Sequence, residues 1–122
     1  MTLQRLAVLQ WVGLGLGGIV WFVAHVAGFG ITEATCDSAG FRLDHDLWQA
    51  VALAAAGVLV LGAGAAAIAV LHGTREWSYE AEAPAGRVRF LALTAVVSNA
   101  IFLMIILLDA LGAIFNVACR QA

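Results

Sequence analysis

The chain has no lysine: its six basic residues are all arginine, set against eight acids, for a formal net charge of −2 over 122 residues. So weak a charge gives no footing to a polyanion, and no nucleic-acid partner is expected. Charge of either sign is scarce at 11%, while 63% of the residues are hydrophobic. A soluble domain of this size cannot hide that much apolar surface, because small folds keep a large surface fraction. Proline occurs once, as Pro84, in a polar segment between two apolar runs. Alternating strand patterns are absent, which argues against a barrel. Only two cysteines are present, Cys36 and Cys119, and no C-x-x-C, so dithiol redox chemistry is not indicated.

What is present is three long runs without Asp, Glu, Lys or Arg: Leu6 to Thr32, Leu47 to Leu71, and Phe90 to Leu108, the last continuing beyond Asp109 to Ala118. Each is at or near the ~20 residues that a helix needs to cross a ~30 Å hydrocarbon core. Backbone groups in lipid must be satisfied within the segment, so helices follow. The expectation is an all-α integral membrane bundle, a single domain over 1–122, with three transmembrane helices near 6–32, 45–72 and 88–117. The first run is too long for an ordinary signal-peptide core, and Glu33-Ala34-Thr35 makes a poor cleavage site before Cys36, so it is read as a retained helix.

Arginine placement sets the orientation. Arg5, Arg75, Arg87 and Arg89 fall on one side of such a bundle, Arg42 and Arg120 on the other. The positive-inside rule then puts the N-terminus inside and the C-terminus outside. Three crossings leave Cys36 and Cys119 on the same outer face, an oxidising compartment where disulfides persist, and a bracing disulfide between them is expected. The loop near 33–44 would lie outside and the loop near 73–87 inside. The latter reads as a solvated linker, with Trp77 and Tyr79 at headgroup depth as the alternative.

Within the first run, Gly13-Leu-Gly15-Leu-Gly17-Gly18 resembles a dinucleotide fingerprint in its letters alone, since no strand precedes it. Gly13 and Gly17 form a small-xxx-small pair, and Gly57, Gly62 and Gly64 smooth the second helix, so all five are expected at helix contacts, some of them with another subunit. In the third helix Thr94, Ser98, Asp109, Gly112 and Asn116 fall within an arc of about 60°. An acid inside an apolar span is unfavourable unless paired. His25 lies at comparable depth on the first helix, and a His25–Asp109 hydrogen bond or ion pair is expected.

No Ser/His/Asp constellation, paired carboxylates, phosphate loop or basic aromatic patch is present, so no enzyme is expected. His25 as a haem ligand would need His45 as its partner, because His72 lies at the opposite end. Metal binding by Cys36, Cys119 and His45 lacks any supporting spacing. No cofactor and no metal are expected.

The order Trp21-x-x-x-His25-x-x-x-Phe29, then Cys36, His45 opening the second helix, Arg89-Phe90-Leu91 opening the third, Ser98 and Phe102 within it and a cysteine near the end resembles a group of small bacterial membrane proteins. These are often encoded beside cytochrome c oxidase (haem–copper oxidase) genes. Members often carry a proline just before the last cysteine, where this chain has Asn116-Val117-Ala118. The resemblance implies a bacterial inner (cytoplasmic) membrane location and an accessory or assembly role in respiration, with the lipid bilayer and larger oxidase subunits as partners. Two alternatives remain: a small haem- or quinone-binding redox protein using His25, and a proton-path or transporter-like component using Asp109.

Overall fold

The computed structural model describes residues 3–36 and 45–115. The first apolar run forms α1 (Leu3–Trp11), a π-helical turn (Val12–Leu16) and α2 (Gly17–Cys36), which follow one another without a break. The second forms α3 (His45–Gly73) and the third α4 (Ala85–Phe115). Among the described residues there is no strand. Three spans, Gln4–Ala34, Leu47–Gly73 and Ala85–Ala113, are long and apolar enough to cross a membrane. At 31, 27 and 29 residues they run about 40–47 Å.

The helices extend further than their charge-free runs. α2 continues to Cys36, so the loop expected from residue 33 starts later. Glu33, Ala34 and Thr35 contain no breaker, and Thr32 Oγ1 donates to the Gly28 carbonyl one turn back (3.0 Å). α4 starts at Ala85 rather than near 88, directly after Pro84, whose carbonyl accepts from Val88 N (3.0 Å). Proline suits such a place because it needs no backbone donor. The expected Cys36–Cys119 disulfide lies outside the described residues, as do Arg42, Asn116 and Arg120.

The three spans are apolar around their whole circumference, and large side chains such as Phe22, Phe29, Val58, Phe90 and Met104 point outward. What is buried is small. Ala56, Ala63, Ala66 and Ala67 of α3 and Ala92 and Ala95 of α4 make up most of the core, with Val60, Val70, Leu6 and Ile106. Small side chains let the backbones close in, which is how helices associate where lipid removes the hydrophobic drive. α3 packs against both other spans, and those two also touch each other. One cluster, Leu6, Val70 and Ala92, sits toward the 74–84 connection, and the other, Ala56, Val60 and Ile106, toward the opposite end.

The connection between α3 and α4 is not a free linker. Thr74 is fully buried and donates through Oγ1 to Val70 O (2.9 Å). Trp77 packs on the Leu6–Val70–Ala92 cluster. The two N–H groups of Arg89 Nη1 are shared among the carbonyls of Thr74 (3.1 Å), Arg75 and Trp77, and its guanidinium lies 4.4 Å from the Tyr79 ring centroid. These carbonyls belong to the turns that follow Gly73, close to the C-terminal end of α3, where the helix dipole favours a cation. One side chain of α4 thereby fastens the start of the connection after α3.

Candidate functional site

Four residues one turn apart, Gly13, Gly17, Trp21 and His25, form a stripe along the first span. Asn99, Phe102, Ile106 and Asp109 form the matching stripe on α4. Where they meet they make a seam of unlike chemistry along its length.

At the bottom of the seam lies Asn99, only 4% exposed. Its Nδ2 donates to the Gly13 carbonyl (2.6 Å) and to the Ala95 carbonyl one turn back on its own helix (2.8 Å). Gly13 belongs to the π turn, where stretching the hydrogen-bond ladder by one residue leaves a carbonyl short of its usual donor. Asn99 Oδ1 is buried without a partner and rests on Gly17, where an added Cβ would overlap it. Only glycine admits the amide there. Asn99 was not in the polar arc drawn from Thr94, Ser98 and Asp109. Thr94 is exposed and bonds Phe90 O (3.1 Å), and the inward polar residue is the neighbour of Ser98, 100° around the helix. The cue available in the sequence was an asparagine in an uncharged run, able to cap a backbone carbonyl on a facing glycine helix.

Midway up, Trp21 stacks on Phe102 (ring centroids 5.7 Å, planes 27° apart) and on His25 (5.8 Å, 29°). Its Nε1 is buried with no partner. At the top, His25 Nδ1 stands 3.9 Å from Asp109 Oδ2. The two side chains expected to pair are therefore adjacent, but the separation is too long for a hydrogen bond. It fits an ion pair when the imidazole is protonated, or a pair bridged by water. The side chains are 63% and 37% exposed, on the outside of the bundle yet within the apolar spans.

The remaining candidates are placed as follows. Gly13 meets Ala67 of α3, and Gly64 faces Asn99 Cβ at 3.7 Å from where a Cβ would stand. Gly57 and Gly62 have open space and take no part in packing within the chain. The physical reason is that α3 carries small residues all round, and only one side of it is covered. Gly57 instead lines an apolar groove of about 740 Å³ between α3 and α4, together with Leu53, Leu61, Leu103 and Leu107, with Gln49 at its end. Neither His25 nor Asp109 lines that groove. His45 opens α3. No group of three or more His, Cys, Asp or Glu that could hold a metal ion occurs among the described residues.

No protein-family model, curated protein or solved structure matches this chain.

Proposed function

We propose that this chain is a small non-catalytic membrane subunit that docks on a larger membrane complex, with a respiratory haem–copper oxidase as the partner that the sequence resemblance points to. The observation that carries the reading is the open pair His25–Asp109. Two ionisable groups inside apolar spans are left half-covered by their own chain. Lipid against them is unfavourable, by roughly 2.5–3.5 kcal/mol for a central acid on insertion scales and less near the interface. A neighbouring subunit with a hydrogen-bond donor at that depth removes the penalty. The bundle's own burial supports the same reading: at most 28% of the most apolar part of any span is covered within the chain.

In this reading the N-terminus is cytoplasmic, the membrane is the bacterial inner membrane, and Cys36 and Cys119 meet in a disulfide on the outer side. Alkylation of thiols with and without reductant tests the bridge: two free thiols before reduction would remove it. Purification in a mild detergent tests the docking. Co-migration with oxidase subunits on a native gel is expected, and recovery only as a lone monomer would sink the proposal.

One observation favours a second reading, a carrier of a hydrophobic ligand such as a quinone: the apolar groove between α3 and α4, whose volume is that of a small-molecule site. Because His25 does not line it, that ligand would sit apart from the histidine. Organic extraction of the purified protein, followed by mass spectrometry, separates the two readings.

A further inference from the structure

We propose that Asn99 is a positioning residue for the His25–Asp109 pair: by holding the Gly13 carbonyl at the π turn it fixes the rotational phase of α2, and that phase brings His25 to Asp109.

A π turn accommodates one residue more than the α-helix around it. One residue is 100° of rotation, so the turn at Val12–Leu16 decides which face of α2 looks toward α4. Below the turn, Leu6 and Leu9 are anchored in the cluster with Val70 and Ala92. Above it, Gly17, Trp21 and His25 line up against Asn99, Phe102 and Asp109. If the ladder closed into a regular α-helix with the same residues, α1 would stay where it is and the upper stripe would swing away from α4.

Something must therefore hold the turn open, and one hydrogen bond is placed to do so. The carbonyl of Gly13, within the π turn, accepts from Asn99 Nδ2 at 2.6 Å, and both residues are buried. In lipid an unpaired carbonyl has no water to turn to, so the donor stabilises the open ladder against the closed one. The same amide presses Oδ1 against Gly17, one residue past the turn, where no side chain interferes. The latch thus touches both ends of the irregular segment. His25 reaches Asp109 only at 3.9 Å and at the exposed edge of the seam, so the pair does not set the phase by itself. The assignment concerns the chain's internal geometry and stands or falls apart from the docking reading.

The test uses the full chain in bilayers, with the His25 side-chain nitrogen and the Asp109 carboxyl carbon isotope-labelled and their separation measured by solid-state NMR dipolar recoupling. Wild type should show the short distance. Asn99→Leu should lose that coupling and shift the Gly13 carbonyl resonance. Deletion of Gly15, where a side chain would meet nothing within 4 Å of its Cβ, removes the extra residue and should keep the pair together. Combined with Asn99→Leu, the deletion should restore the coupling. An unchanged His25–Asp109 distance in Asn99→Leu overturns the proposal. So does a Gly15 deletion that loses the pair or fails to fold, and this arm decides the matter if Asn99→Leu itself does not fold.

Discussion

Gly13 lies directly against Ala67: a Cβ on the glycine would come within 3.0 Å of both the Ala67 methyl and its backbone nitrogen. At this crossing the backbones of the first and second spans approach so closely that no side chain fits between them. Gly13→Leu is expected to destabilise the bundle by roughly 1–3 kcal/mol through overpacking. Gly62→Leu, on the open side of α3, should stay within about 0.5 kcal/mol of wild type in the isolated chain. Reversible unfolding in bicelles measures both, and equal losses would refute the assigned packing.

Arg89 holds the start of the connection after α3 through three carbonyls, those of Thr74, Arg75 and Trp77. Replacing it by Met removes charge-assisted bonds worth about 1.5–3 kcal/mol each when intact, less whatever water returns to the carbonyls. The expected result is a lower melting temperature and faster proteolysis of residues 74–84. Lysine should restore only part of the loss, because an ammonium cannot reproduce the planar fork or lie as well over Tyr79. A lysine variant fully as stable as wild type would show that charge alone matters there.

Trp21 joins two ring contacts, one to His25 and one to Phe102. Trp21→Ala should lose about 0.5–1.5 kcal/mol for each, beyond the packing area, whereas Trp21→Phe should keep most of the stacking and free the orphaned indole N–H. Unfolding free energies of the two variants provide the comparison. A phenylalanine variant as unstable as the alanine one would point to an indole hydrogen bond instead.

The His25–Asp109 contact should contribute little to the isolated chain. The two groups stand within the apolar spans at 3.9 Å, beyond hydrogen-bond reach, and polar pairs between membrane helices couple by about 0.6 kcal/mol on average and about 1.7 at most. A double-mutant cycle with His25→Ala and Asp109→Asn in detergent should give a coupling in that range. The same cycle read on retention of a partner complex should give a larger value if the pair faces another subunit.

Much of the layout was legible from the placement of charge. Long uncharged runs admit only helices in lipid, so the three spans follow from residues 6–32, 47–71 and 90–108. Counting turns from the run ends put His25 and Asp109 at one depth, since rise per residue is constant along a helix. What could not be read was rotation. Choosing Ser98 over Asn99 is a choice of 100°, and apolar spans with no amphipathic face offer no reference direction. The π turn was invisible for the same reason: its glycines suit close packing and an irregular ladder equally well. The alanines and glycines of α3 gave no way to tell the side that meets Gly13 from the side that carries Gly62.

The Arg89 staple bears on the order in which the molecule comes together. α3 and α4 are joined by a short segment pinned by one guanidinium, so their first contacts are local in sequence. Contacts of that kind form early, because little chain entropy is lost in making them. The bond that fixes the π turn joins residues 86 positions apart, on the first and third spans. The order expected from this is the α3–α4 hairpin first and the phase of the first span last.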